Sequence, residues 1–229
     1  MPKPQPIRHA VIMAAGRGQR MMPLTDAIPK PMAPYNGSTL IAQGIAKLSK
    51  RLPHIHVTVG YKGAMLAQHV IEQSASSVFN TEGHSNSWWI YNTLLRHLHE
   101  PTYVLTCDNV VDLDFELLER EYVEHGEPAC MLVPVNPVPG LEGDYIWRDG
   151  SIVIEVSRTK ATDIYCSGIQ ILNPFRVNAL TVDDGDFYSV WRQLIADRQL
   201  YVSSVYPKKW IAVDTLEHLI ALNKTLGRP

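Results

Sequence analysis

The sequence has no uninterrupted apolar run approaching the roughly 18 residues that a membrane-crossing helix needs. That excludes an integral membrane helix. It has no surplus of either charge: 21 Lys and Arg stand against 23 Asp and Glu, a formal net charge of -2. A general nucleic-acid or anionic-membrane binder needs a basic excess, so both classes drop out. Cysteine is scarce. Cys107, Cys130 and Cys166 lie in apolar or strand-like runs without CxxC spacing. An odd, unclustered set argues for reduced, buried thiols and a cytoplasmic setting rather than a disulfide framework. Met1 to Pro6 is proline-rich and has no apolar core, so it does not read as a secretory signal. His54-x-His56 and His97-x-His99 have no third partner at zinc-ligand spacing, which leaves them satisfied or solvated.

What is present is an α/β pattern. The 229 residues, 45% of them hydrophobic, suffice for one large domain, and no linker, repeat or low-complexity tract divides it. Strands are expected at Ala10 to Met13, Ile55 to Val59, Ser77 to Asn80, Thr102 to Cys107 and Ala129 to Val135. Helices are expected at Thr39 to Leu52, Ala64 to Gln73, Trp89 to His99 and Phe115 to His125. Such alternation predicts a mostly parallel sheet covered by helices on both faces. Beyond it, Asp144 to Ile154 reads as a hairpin, Tyr165 to Leu172 and Leu200 to Tyr206 as strands, and Phe187 to Asp197 as a helix. Asp214 opens the last helix. Ligands of parallel sheets bind beyond the carboxyl ends of the strands. Loops at Gly16, Gly60 and Asp108 leave strands at that edge and should share one crevice.

The run Ala14-Ala15-Gly16-Arg17-Gly18-Gln19-Arg20-Met21-Met22-Pro23-Leu24-Thr25, ending at Pro29-Lys30-Pro31, carries the most chemistry. Small residues after a strand let backbone N–H groups approach an anion. Arg20 and a lysine held between two prolines then suit a polyphosphate. A dinucleotide-binding turn is rejected, since position 21 is Met and Asp26 comes too early for the acidic partner. Asp108, after Thr106-Cys107, either closes a turn with Asn109 or binds a cation. Asp214 either caps the helix that follows or does the same. A nucleophilic Cys107 is less economical than a small buried hydrophobe. Trp88-Trp89 with Tyr91 reads as core more readily than as a stacking platform for a base.

This opening run closely resembles the signature of nucleotidyltransferases that make sugar nucleotides and relatives such as CDP-choline. The resemblance extends to Thr106-Cys107-Asp108-Asn109, to Cys166-Ser167-Gly168-Ile169 and to Trp210-Ile211-Ala212-Val213-Asp214-Thr215, so it covers nearly the whole chain. The chain is thereby similar to the short single-domain branch near MurNAc-phosphate uridylyltransferases, heptose-phosphate guanylyltransferases and phosphocholine cytidylyltransferases. The resemblance implies a Rossmann-like mixed, mostly parallel sheet, the nucleotide-diphospho-sugar transferase fold. It implies one domain, with residues 1–135 binding the nucleotide and 136–229 the acceptor. The implied reaction is attack by a sugar 1-phosphate on a nucleoside triphosphate, with release of pyrophosphate, for envelope or capsule precursors. The alternative acceptor is phosphocholine or another non-sugar phosphate or phosphonate, with CTP as donor.

The implied roles follow the motifs. Arg20 and Lys30 are catalytic. Ala14, Ala15, Gly16, Gly18, Gly60, Tyr61, Asn80 and Asn86 bind the nucleotide. Tyr145, Arg158, Lys160, Gly168 and Lys209 bind the acceptor, and Asp108 and Asp214 hold Mg²⁺. The partners are a nucleoside triphosphate and a small phosphorylated acceptor, and the resemblance also allows a homodimer. Two departures stand out. Thr81 to Trp89 replaces the family's glycine-rich base-gripping segment, and Ser157-Arg158-Thr159-Lys160 replaces its usual Glu-Lys-Pro. Two cations there predict an acceptor with extra negative charge or without the usual sugar hydroxyls.

Overall fold

A computed structural model of the chain describes residues 6–138, 141 and 143–225. They form two compact units whose segments interleave along the sequence. Among the described residues, one comprises 8–84, 105–110 and 211–225; the other comprises 6–7, 85–104, 111–138, 141 and 143–210.

The first unit carries the opening run. Three parallel strands lie in the order Ser77–Asn80, His54–Val59, His9–Met13, with Met13 opposite Thr58 and Val59 opposite Asn80. Ala10, Val11, Ile12, Val57 and Val59 are buried, as parallel strands covered on both faces require. The expected helix after Thr39 forms over Leu40–Leu48, with Thr39 as its N-cap accepting from the Ala42 N–H. Leu40, Ile41, Ile45 and Leu48 face inward at helical spacing. The loops leaving the strands at Met13 and Val59 start from one edge, and the Cys107 N–H donates to the Met13 carbonyl there (3.1 Å). All three loops singled out in the sequence therefore meet at the carboxyl edge.

At the amino ends of these strands the histidines find their partners in one another. The His9 ring stacks on His54 at 4.6 Å, and its Nδ1 lies 3.1 Å from His56 Nε2. His56 Nδ1 is 2.7 Å from Ser77 Oγ. Burial, then the neighbouring His9 and His54 rings, hold His56 down to about 4. The folded state thus requires neutral His56. Stability is complete above the ordinary value of 6.5 and falls as pH drops from there toward 4. The loss should be on the order of 2 kcal/mol. Urea unfolding at pH 7 and pH 4.5 should show a smaller drop for His56→Leu than for the natural chain.

In the second unit, Thr102–Thr106 pairs antiparallel with Tyr165–Leu172, which pairs antiparallel with Cys130–Val135. Leu200–Val202 runs parallel to Cys130–Val135, and the expected hairpin, Tyr145–Asp149 with Ile152–Ser157, completes the order. The strands of the first unit are parallel, and the second unit mixes antiparallel pairs with one parallel pair, as the expected mixed sheet requires.

Several elements differ from the sequence reading. The strand expected over Leu200 to Tyr206 ends at Val202, because the Ser203 hydroxyl and the Ser204 N–H turn to the Glu121 carboxylate. The helix expected over Trp89 to His99 breaks into Trp89–Asn92 and the 3₁₀ turn Leu94–His97. Thr93 causes the break: its hydroxyl donates to the Trp89 carbonyl and accepts from the Leu95 N–H, ending one helix and capping the next. An unanticipated helix, Pro174–Leu180, begins at Asn173-Pro174, where the asparagine caps the Arg176 N–H. The last helix is Leu216–Lys224 and its cap is Thr215, not Asp214. Trp89 is fully buried near Phe187, which fits the core reading.

Candidate active site

The opening loop is tied down from both sides. Ala14 N–H donates to the Thr58 carbonyl (3.1 Å), and Tyr61 N–H to the Ala15 carbonyl (3.0 Å). A Cβ at Gly60 would lie 2.7 Å from that Ala15 oxygen, so only glycine lets the two loops meet. Gly18 adopts φ +67°, and a Cβ there would lie 2.7 Å from Lys30 Cβ. The Gly18 carbonyl accepts from Thr25 Oγ1 (3.1 Å), and Tyr61 OH donates to the Thr25 carbonyl (2.9 Å). Tyr61 therefore braces the loop, with the Arg17 guanidinium 5.3 Å from its ring centre. The Cβ of Gly16 would meet nothing within 4 Å, so this stretch of backbone is open to a ligand. Gly18→Ala should cost about 1–3 kcal/mol of stability through strain and crowding. It should also lower turnover at least tenfold by displacing Lys30; thermal unfolding and steady-state kinetics check both effects.

The cations are aimed by packing. In the 3₁₀ turn Gln19–Met21, Met21 is fully buried while Arg20 points outward. Met21 packs with Ala33, Tyr35, Leu40, Val213, Leu219 and Leu222, which binds the opening loop to the last segment of the chain. Val213 N–H donates to the Asp108 carbonyl at 2.9 Å, bringing the two aspartates close. Because Thr215 takes the cap of the last helix, the Asp214 carboxylate is released for other partners. Lys30 Nζ lies 2.6 Å from Asp108 Oδ2 and 3.0 Å from Asp214 Oδ1. Arg20 Nη2 lies 3.1 Å from the same Asp214 oxygen. Burial opposes the charge on Lys30, but Asp108 and then Asp214 outweigh it and raise its pKa. Burial, followed by the Asp108 charge, pushes the Cys107 thiol up, away from the thiolate form that a nucleophile needs.

The remaining predicted residues fall into two groups. In the first unit, Asn80 Oδ1 accepts from the Glu82 N–H in a local turn. In the second, Asn86 Oδ1 accepts from the Phe187 N–H and fixes the start of helix Phe187–Ala196. Both asparagines thus have structural partners. Arg158 contacts Asp144 (3.1 Å) and Asp186 (3.2 Å), and Lys160 contacts Glu155 (2.7 Å). The surplus positive charge expected at these two cations is therefore matched by acids, a correction that sequence adjacency hid because the partners lie up to 28 residues away. Tyr145 lies against the Tyr165 ring, 4.6 Å between centres. Gly168, at φ +79°, sits where the strand Tyr165–Leu172 shifts register between Cys166 and Gln170. Trp210 Nε1 donates to the Ser167 carbonyl beside it (3.0 Å). Trp210 in turn lines an open cleft of about 490 Å³ with Val135, Asn136, Val138, Tyr206 and Pro207. Lys209 is exposed. Tyr206 and Asn136 carry no sequence signal that would have marked them.

Asp108 and Asp214 present oxygens to one positive group, a donor set that suits a hard divalent cation. No cluster of three or more His, Cys, Asp or Glu side chains converges for a metal among the described residues. Two carboxylates leave the remaining positions to phosphate oxygens and water, the usual arrangement for Mg²⁺. The residues fit the ion. No helix among the described residues is long and apolar enough to cross a membrane.

Comparison with known proteins agrees with this reading. A nucleotidyl transferase profile matches residues 9–140. Mannose-1-phosphate guanyltransferase beta-B of Xenopus laevis is 28% identical over 178 residues, 72% of this chain and 49% of its own length. The chain thus spans about half the length of that relative. Among solved structures, the inositol-1-phosphate CTP transferase from T. maritima aligns with a TM-score of 0.77 over 97% of both chains at 13% identity. The CTP:phosphocholine cytidylyltransferase from Streptococcus pneumoniae aligns at 0.74, 18% identical, over 96% of this chain and 99% of its own. These likenesses establish the nucleotide-diphospho-sugar transferase fold expected from the sequence. With a family match over more than half its residues, and the signature loop, Lys30 and both aspartates in one unit, the chain belongs to the nucleotidyl transferase family.

Proposed function

We propose that the chain is a Mg²⁺-dependent nucleotidyltransferase that joins a nucleoside triphosphate to a sugar 1-phosphate and releases pyrophosphate. The observation that carries this is the convergence of Lys30, Asp108 and Asp214 beside the opening loop. Displacement at a phosphorus crowded by anionic oxygens needs charge neutralisation more than covalent chemistry. The attacking phosphate oxygen is already anionic, so no general base is required. The open backbone at Gly16 receives the triphosphate, and Arg20 and Lys30 neutralise its charge as pyrophosphate departs. Asp108 and Asp214 would hold Mg²⁺, which supplies a counter-charge to the phosphate oxygens and orients them. Gly168, Tyr145 and Lys209 belong to the acceptor side in this reading, with Arg158 and Lys160 shaping it through their ion pairs.

A second reading keeps the chemistry but uses CTP and a non-sugar phosphate. It is favoured by the cleft at Trp210, whose described lining, Val135, Asn136, Val138, Tyr206, Pro207 and Trp210, includes no charged side chain to pair with an ionised sugar substituent. Pyrophosphate release should be assayed with each of four NTPs against mannose 1-phosphate, glucose 1-phosphate, inositol 1-phosphate and phosphocholine. Turnover confined to a sugar 1-phosphate supports the first reading. Turnover of phosphocholine with CTP, and of no sugar phosphate, overturns it in favour of the second.

A further inference from the structure

The ammonium of Lys30 occupies the point on which both candidate metal ligands converge, 2.6 Å from Asp108 and 3.0 Å from Asp214. Its side chain is only 10% exposed, and Gly18 closes against its stem, so it is built into the site and not folded back from solvent. With Arg20 on Asp214, two cations balance two carboxylates and the cluster is neutral. A divalent ion added alone would face a lysine already in place and leave this half-buried cluster with two uncompensated positive charges. A polyphosphate arriving with the ion removes that excess and gives Lys30 and Arg20 new anionic partners.

We propose that Lys30 is the site's internal substitute for the divalent cation. It bars the bare ion and hands over the two carboxylates only when a polyphosphate arrives to receive its ammonium. This rests on the assignment of Asp108 and Asp214 as metal ligands. It makes binding of metal and triphosphate mutually dependent, with one lysine as the exchanged group.

Mn²⁺ binding tests this without turnover, read for the ion alone from the free-ion electron paramagnetic resonance signal and, with tripolyphosphate, from the Mn²⁺ retained with the protein in equilibrium dialysis against the same Mn²⁺–tripolyphosphate solution. The natural chain should bind Mn²⁺ alone weakly, and inorganic tripolyphosphate should strengthen that binding. Lys30→Met keeps the stem against Gly18 and should bind Mn²⁺ alone at least about tenfold more tightly, while losing most of the tripolyphosphate enhancement. Arg20→Gln alters an exposed side chain and serves as the variant least exposed to misfolding. It should tighten binding by less, because Arg20 pairs with Asp214 whereas Lys30 pairs with both carboxylates. Should the natural chain and both variants bind Mn²⁺ alone equally, and Asp108→Asn abolish that binding, the metal site stands and the substitution idea fails. Should binding be indifferent to Asp108→Asn and Asp214→Asn even alongside Lys30→Met, the metal assignment fails and takes the proposal with it.

Discussion

Asp108→Asn should lower turnover by about 10³-fold or more while leaving the thermal unfolding midpoint within a few degrees. The substitution is isosteric and spares the backbone contact that matters structurally, since the Val213 N–H bonds the Asp108 carbonyl and not its side chain. What disappears is half of the carboxylate pair, and with it one of the two fixed negative charges that would bind the ion. Lys30 keeps Asp214, so no buried charge is orphaned and the fold should persist. Pyrophosphate release and differential scanning calorimetry, run side by side, separate the two effects. Near-normal turnover would overturn the metal role of Asp108.

Lys30→Met should lose about 10²- to 10³-fold in kcat, and Lys30→Arg should not rescue it. The ammonium is a compact point charge placed between two oxygens, and the stem leading to it is pressed against Gly18. A planar guanidinium needs more room and a different bonding direction. Stability should also fall, on the order of 2 kcal/mol, because two carboxylates are left facing each other without their shared cation. The sign of the pH dependence follows from the raised pKa of Lys30. Its contribution is intact below its ordinary value of 10.5 and is lost as the pH rises beyond it, so the neutral range should show no change from this group. Full activity in Lys30→Arg would show that any cation serves, contrary to the geometry.

The parts of the site that were legible in the sequence are the ones encoded locally. A run of small residues after a buried strand, two glycines, an arginine and a lysine between prolines are contiguous, and their chemistry could be read in order. The expectation that loops at Gly16, Gly60 and Asp108 share an edge also followed from local signals, since parallel strands put their carboxyl ends on one side. Asp214 was ambiguous for the same reason. Asp214-Thr215-Leu216-Glu217 reads as a helix start that Asp214 would cap, and local chemistry alone does not separate that role from binding a cation. The structure resolves it by giving the cap to Thr215. Likewise Asn80 and Asn86 looked alike as polar groups in one loop, yet each is held by a backbone N–H, one of them 101 residues away.

By itself, then, the sequence determined the strand that launches the opening loop, and it marked that loop, the two cations and the two aspartates as candidates for one site. Only the tertiary structure decided how these charges are paired. It joined Lys30 to carboxylates 78 and 184 residues away, anchored Met21 in a core shared with the last helix, and neutralised Arg158 and Lys160 with acids. The physical reason is range. Backbone conformation answers to neighbours within a few residues, whereas a buried charge must find its counter-charge wherever the fold brings one.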